Sequence, residues 1–284
     1  MRTDFEGTIS TYIFFPLLSK NDGYEYASGQ RAAMRDILDA VADGSLSPAE
    51  AEVQLAGYAT TGAGRFDAAR ETRRGLPEAI LAEGKTPDET ATLAVAAVET
   101  SGRALVTRAS PDHAEAVADA LPECDIDRDA RAKTVVACDS SFERPELDAT
   151  VTIVTGGTSD AEAAGEAAVV LREMGANVER IEDVGVAHLG RVLDHLDSLR
   201  DADVLIVAAG REGALPTVVA GLVDTPVIGL PVSTGYGQGG DGEAAVLGML
   251  QSCTVLSVVN VDAGFIAGSQ AGLIARAVAG ARAE

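Results

Sequence analysis

The chain has 284 residues and a formal net charge of −22, and only three of its 22 basic residues are lysines (Lys20, Lys85 and Lys133). A surface so rich in Asp and Glu repels nucleic-acid phosphates and anionic membranes, which excludes both as partners, and it reads as adaptation to a high-salt cytoplasm. Apolar residues make up 46% and aromatics 4%, with no tryptophan. A core of the size this length allows is therefore built from Ala, Val, Leu and Ile, as in a helix-covered parallel sheet.

Residues 1–33 hold three of the five tyrosines and three of the six phenylalanines. They read as a disordered or non-native extension with Met34 as the natural start; a partner-binding or membrane-surface segment is the alternative. From Arg35 the text turns helical, with Ile37, Leu38, Val41 and Leu46 spaced for one buried face. Ser47-Pro48-Ala49-Glu50 opens another helix, with Pro at the first position. Residues 59–65 read as a flexible Gly/Thr loop, and Thr86 caps the next helix. Gly84-Lys85-Thr86 is not a phosphate-binding loop, because the upstream glycines and the preceding strand are missing.

A strand at 104–107, a helix at 111–121 and a strand at 134–137 make a small α/β unit, and polar 139–147 reads as a linker. This divides the chain into an amino-terminal helical and α/β domain, 34–145, and a catalytic domain, 146–284. In the second part strands are predicted at 150–155, 178–181, 203–209, 226–230 and 256–261. Helices are predicted at 159–174, 188–199, 213–222, 241–252 and 264–282. This alternation implies right-handed crossovers and a parallel sheet flanked by helices.

In such sheets ligands lie outside the carboxyl ends of the strands. Thr155-Gly156-Gly157-Thr158-Ser159-Asp160 follows the first of these strands. A glycine turn feeding a helix offers free N–H groups to an anion, and a plain helix cap has the same appearance. His188 follows the second strand and reads either as a solvent-facing helix start or as a substrate contact. Glu212, between glycines after the third, is a surface carboxylate or a fixed general base. Gly229–Gly240 follows the fourth, with Ser233, Thr234, Gly235, Tyr236 and Gly237. The same rim is expected to gather Cys253, which by itself reads as an inert core residue more readily than as a nucleophile. Cysteines 124, 138 and 253 form no CxxC pair, which argues against structural zinc, and their odd number fits a reducing cytoplasm. No His or carboxylate cluster has ligand spacing, so no metal ligands are assigned.

Taken in order, Gly-Gly-Thr-Ser-Asp (156–160), Val-Gly-Val-Ala-His (184–188), Gly-Arg-Glu-Gly-Ala-Leu-Pro (210–216), Pro-Val-Ser-Thr-Gly-Tyr-Gly (231–237) and Asn-Val-Asp-Ala-Gly (260–264) form a set. The set resembles the LarB family, the carboxylase/hydrolases of nickel-pincer cofactor biosynthesis. Their carboxy-terminal domain is similar to PurE, the aminoimidazole ribonucleotide (AIR) carboxylase/mutase. Arg-Arg-Gly-Leu-Pro-Glu (73–78), Glu-Gly-Lys-Thr-Pro (83–87) and Ser252-Cys253 favour LarB over PurE. The family's loop carries Gly-Ile-His-Arg where this chain reads His188-Leu189-Gly190-Arg191, so the histidine sits two positions early with Arg191 in place.

The resemblance implies carboxylation of the pyridinium ring of nicotinic acid adenine dinucleotide by CO2 or bicarbonate. Hydrolysis of the phosphoanhydride then releases AMP and leaves pyridinium-3,5-biscarboxylic acid mononucleotide. It places Cys253 at the covalent cysteine, Glu212 at the water-activating glutamate, and Gly157–Asp160, His188, Arg191, Ser233–Gly237 and Asn260 around the substrate. It implies substrate-bound Mg2+, no tightly bound organic cofactor, and a homo-oligomer, of the octameric kind, with sites between subunits. The alternatives are a PurE-like mutase, which needs no cysteine, and a non-catalytic nucleotide-binding module.

Overall fold

The computed structural model describes residues 34, 35, 37–48, 51, 55 and 57–283, so the predicted extension at 1–33 lies outside them. Of the predicted amphipathic face, Ile37 is buried and Val41 and Leu46 are partly buried, but Leu38 points outward.

The expected loop at 59–65 is instead an antiparallel hairpin, β1 (Ala59–Thr61) paired with β2 (Gly64–Phe66). Thr61 closes it by donating to the Gly64 carbonyl and accepting from the Ala63 N–H. Phe66 anchors it in the first core. After α1 (Arg70–Arg74) come β3 (Ala79–Leu81), α2 (Pro87–Ser101), β4 (Arg103–Thr107), α3 (Pro111–Ala120), β5 (Asp125–Asp129) and β6 (Thr134–Cys138). Thr86 and Glu89 form a reciprocal capping box at α2, with Pro87 at the first position. Ser110 and His113 do the same at α3, which gives His113 a structural task. The sheet order is β3-β4-β6-β5, with β3 parallel to β4 and the other pairs antiparallel.

The second sheet contains β7 (Thr150–Thr155), β8 (Asn177–Ile181), β9 (Val204–Ala209), β10 (Val227–Pro231) and the short β11 (Ser257–Val258). All four pairings are parallel, in the order β11-β10-β9-β7-β8. β7, β9 and β10 are buried almost end to end, as central parallel strands must be. The helices are α4 (Ala161–Glu173), α5 (Gly190–Leu193), α6 (Leu196–Asp201), α7 (Ala214–Ala220), α8 (Glu243–Leu250) and α9 (Gly264–Ala283). The predicted helix at 188–199 is broken at His195 into α5 and α6. α4 and α9 pack closely because α9 presents glycine: a Cβ at Gly268 would lie 2.7 Å from the Ala167 carbonyl oxygen.

α4 also joins the two sheets. Its Val169 and Val170, with Met174, share a core with Leu76, Leu105 and Val136 of the amino-terminal part. Arg103, 3% exposed, donates to the Glu173 carbonyl at 2.7 Å and pairs with the Glu173 carboxylate at 3.2 Å and with Glu71 at 2.8 Å. A buried guanidinium with this many partners fixes one unit against the other.

Candidate active site

In strand order β7 lies between β8 and β9, so the chain turns to opposite sides after β7 and after β9, and the crevice between their carboxyl ends is where a ligand fits. The turn after β7 enters this crevice with Gly156 N donating to the Ala208 carbonyl of β9 at 3.0 Å. The backbone around the rim is unusual. Among the described residues, the non-glycine positions with positive φ are Arg108, Lys133, Asp183, Arg211, Asp241 and Asp262. Asp183, Arg211, Asp241 and Asp262 lie in the loops after β8, β9, β10 and β11, and Arg108 directly follows β4. Each such residue costs free energy, and they concentrate where loops serve ligands.

Several residues proposed for the substrate come together here. The buried Asp160 carboxylate accepts from Gly157 N at 2.8 Å and from the Thr234 hydroxyl at 3.3 Å. Ser159 and Thr234 hydroxyls are 3.4 Å apart. Burial pushes the Asp160 carboxyl above its ordinary range, against the pull of the Gly157 N–H and the Thr234 and Ser159 hydroxyls. The Gly157 N–H that the sequence offered to an anion is thus satisfied internally, and Asp160 presents a hydrogen-bond acceptor suited to hydroxyl groups. Thr158 sits in the same turn, where its carbonyl accepts from Arg131.

The loop after β8 leans on this turn. Val184 N donates to the Thr155 carbonyl at 3.0 Å, and a Cβ at Gly185 would lie 2.6 Å from the Gly156 carbonyl. Arg191 reaches back to Asp183 at 3.3 Å. His188 is exposed and its ring lies over Gly190, where a Cβ would be 2.6 Å from Cε1. On the other side Tyr236 is 79% exposed with the Arg211 guanidinium 4.2 Å above its ring. Gly235 and Gly237 carry the turn beside it, Gly237 at φ 87°. Glu212 is exposed in the loop after β9. Asn260 is also exposed, and its side-chain oxygen takes the Val261 N–H.

Cys253 follows α8 and is not carried by one of these rim loops. α8 leaves the rim at Gly242 and rises about 12 Å toward the other end of the sheet. Cys253 lies in the loop between α8 and β11, at the edge where strands begin. Its neighbour Thr254 donates to Thr217 on α7 at 3.4 Å, and Thr254 packs near Gly221, the residue that ends α7. Strand and helix direction thus put Cys253 past the end of α8, away from the Tyr236 loop, while Gly248 of the same helix packs on the Glu212 carbonyl. Cys253 is exposed, not core filler, and Leu247, Leu250 and Val255 stand exposed near it in the chain.

The structure adds residues that sequence reasoning passed over. A cavity of about 400 Å³ opens between the rim and the amino-terminal sheet, with Arg108 and Lys133 on one wall and Ser159, Ser233, Thr234 and Asp262 on the other. Asp262 accepts from Ser233 N at 2.9 Å, and its carbonyl accepts from Arg108 at 3.1 Å. Asp262 falls inside the Asn-Val-Asp-Ala-Gly motif, so a signal for it existed. Buried Glu166, which accepts from Phe265 N at 3.0 Å and lies 3.9 Å from Arg108, carried none. Burial raises the Glu166 carboxyl above its usual range, and the Phe265 N–H and Arg108 oppose this.

A parallel sheet with its crevice at this switch, covered by a second mixed sheet, defines an open-sheet α/β protein with a switch-point site. Residues 150–284 match the AIR carboxylase model, and residues 58–137 match the LarB/PurE-like N-terminal domain. The uncharacterized protein MJ0165 of Methanocaldococcus jannaschii is 38% identical over 254 residues, covering 86% of this chain and 97% of that protein. The chain belongs to the LarB family, with a PurE-like carboxy-terminal domain. Solved structures similar to it include a PurE2 variant of Treponema denticola, 25% identical with a TM-score of 0.36, covering 48% of this chain and 80% of that one. Treponema denticola PurE is 22% identical with a TM-score of 0.34, covering 47% of this chain and 92% of that one. Among the described residues no helix is long and apolar enough to cross a membrane.

Proposed function

We propose that the protein carboxylates the pyridinium ring of nicotinic acid adenine dinucleotide and hydrolyses its phosphoanhydride. The products are pyridinium-3,5-biscarboxylic acid mononucleotide and AMP, the first step of nickel-pincer cofactor synthesis. The observation that carries this reading is Cys253, exposed in a Ser-Cys loop of an AIR carboxylase domain that follows a LarB/PurE-like N-terminal domain.

Chemistry explains the need for a thiolate. A pyridinium is electron-poor, so its ring carbons do not attack CO2. The Cys253 thiolate adds to the carbon para to nitrogen, and the ring nitrogen accepts the electron pair. The resulting dihydropyridine has an enamine-like neighbouring carbon, which attacks CO2. Loss of the proton from that carbon returns the electron pair, and the ring expels the thiolate. Glu212 takes a proton from the water that attacks the phosphoanhydride. Among the described residues no three His, Cys, Asp or Glu side chains are grouped to hold an ion. Mg2+ bound to the substrate's pyrophosphate would supply charge neutralisation there.

The distance between Cys253 and the rim makes a second copy part of the reading. Leu247, Leu250 and Val255 stand exposed on α8 and in the loop that holds Cys253, and burying them against another copy would bring Cys253 to that copy's Asp160–Thr234 rim. The test is to incubate the protein with nicotinic acid adenine dinucleotide, 13C-bicarbonate and Mg2+ and to record a mass spectrum. A labelled biscarboxylate mononucleotide together with AMP is expected. Turnover of an aminoimidazole ribonucleotide instead would replace this reading with the PurE-like one, and binding without turnover of either would leave a nucleotide-binding module.

A further inference from the structure

The amino-terminal unit grips the start of α4 with the turn between β5 and β6. The last ladder pair there is Asp129 with Thr134, which leaves 130–133 as the loop. The Asp129 carboxylate accepts from Arg131 N at 2.9 Å and from Ala132 N at 2.8 Å, so the loop is fixed by the residue that opens it. Successive residues of this loop then dock on the second unit. The Arg131 guanidinium donates to the Thr158 carbonyl. Ala132, 2% exposed, fills the notch at Gly165, where a Cβ would lie 2.6 Å from the Ala132 Cβ. Lys133 pairs with Glu162 at 2.8 Å. Positions 158, 162 and 165 have the spacing of one helix face.

Of these contacts, the one made by Arg131 falls inside the Gly157–Asp160 turn. That turn carries the Asp160 carboxylate, which accepts from Gly157 N and the Thr234 hydroxyl, and the Ser159 hydroxyl, 3.4 Å from that of Thr234. Its own backbone bond, Asp160 N to the Gly157 carbonyl, is 3.2 Å long and closes a single 3-10 turn. Such turns have poor hydrogen-bond geometry, and this one is entered through Gly156 and Gly157, whose backbone is the least restrained. A brace from outside therefore matters to it.

We propose that Arg131 is a positioning residue: from the amino-terminal unit it holds the Thr158 carbonyl and so keeps Ser159 and Asp160 in the arrangement the rim presents to substrate. It acts through the Thr158 peptide and not by touching the substrate. The inference rests on the function proposed above in taking this rim as the substrate's place. A guanidinium suits the task, because a charge-assisted bond to a carbonyl is stronger than a neutral one and the group stays protonated at any working pH. The amino-terminal unit is then a part that aligns the rim of the other.

The experiment combines amide hydrogen exchange with kinetics on the full chain. Arg131→Met keeps the stem and removes the donors, and Arg131→Lys keeps a charged donor. In Arg131→Met the Gly157 and Asp160 amides should exchange about tenfold faster, as loss of one charge-assisted hydrogen bond allows. The amides of β7 and β9 and the denaturant midpoint should not move, because the side chain is exposed. The KM for nicotinic acid adenine dinucleotide should rise about tenfold with kcat within about twofold, the mark of lost preorganisation for binding. Arg131→Lys should recover most of both. Unchanged exchange at Gly157 and Asp160, or equal acceleration in β7 and β9, overturns the proposal, and so does faster local exchange with KM unaltered. Exchange needs no turnover, so the two readings fail separately. Absence of wild-type turnover overturns the catalytic function and leaves exchange to decide the role of Arg131. Wild-type turnover with exchange and KM independent of Arg131 overturns the positioning alone.

Discussion

At the carboxyl ends of β7, β9 and β10 the chain holds strained loops, a buried carboxylate and crossing hydrogen bonds. Where the strands of the same sheet begin, exposed Cys253 lies in a short loop tied down by hydrogen bonds of Ser252 and Thr254. The first edge is preorganised by its own chain, since Asp160 accepts from Gly157 N and the Thr234 hydroxyl and Asp262 accepts from Ser233 N. The second presents Cys253, with Leu247, Leu250 and Val255 exposed near it in the chain. In the proposed function the first edge binds substrate, the second supplies the thiolate, and copy-to-copy contact unites them.

The sharpest way to break that comparison is at the cysteine. Cys253→Ala should lower carboxylation on the order of 10³-fold or more, as removal of a covalent nucleophile does. An exposed side chain contributes little to stability, so unfolding should shift by no more than about 0.5 kcal/mol. Mixing Cys253→Ala with Asp160→Asn, each inactive alone, should restore activity toward about a quarter of wild type if the two edges meet across copies. No recovery after confirmed subunit exchange would return both edges to one chain. Glu212→Gln should slow AMP release by about 10²- to 10⁴-fold, the usual range for a general base. Carboxylated dinucleotide should then accumulate in the mass spectrum, and its absence with normal AMP would remove Glu212 from hydrolysis.

A third test addresses the joint between the two units. Arg103→Met leaves the Glu173 carboxylate buried with Arg144, 2.8 Å away, as its remaining ion-pair partner. Loss of one member of a buried pair costs about 3 kcal/mol or more, measured as a drop in the denaturant midpoint. A smaller loss would mean that the shared core around Val170 and Leu105 carries the joint.

The smallest expected effect concerns Glu166 and pH. Its folded-state affinity for a proton is raised by burial. The native state therefore binds protons more tightly than the unfolded chain, and stability is highest at or below the unfolded carboxyl range, near pH 4. Stability then declines as pH rises toward the raised folded value. Glu166→Gln keeps an acceptor for Phe265 N and removes the buried charge. Calorimetry should find it more stable than wild type at pH 8 and similar at pH 4, and the reverse order would contradict the raised value.

Much of the fold could be read because period and punctuation agree. Val204–Ala209 is a continuous apolar run opening into glycine, and Thr86-Pro87 with Glu89 specifies a helix start by hydrogen-bond chemistry alone. β5 and β3 escaped for the opposite reason. Asp-Ile-Asp-Arg-Asp is an exposed edge strand whose pairing with β6 supplies what its side chains do not announce. The hairpin at 59–66 escaped because its glycines read as flexibility when Phe66 and the Thr61 hydrogen bonds close it. In the site, the motifs contain Ser159, Asp160 and Thr234, which hydrogen bonds bring together. Arg108, Lys133 and Glu166 lay outside every motif, since their partners come from other elements: Asp262 for Arg108, Glu162 for Lys133 and Phe265 for Glu166.

By itself the sequence determined the alternation of strands and helices, the parallel sheet and the rim where its loops collect. Each of these follows from local periodicity and from the right-handed crossover. Only the tertiary structure decided that α8 carries Cys253 to the far edge, that Asp160 fills its own turn, and that two basic residues of the first unit overhang the second. Those facts depend on helix direction, burial and the packing of α4 between sheets, which no stretch of sequence encodes in isolation.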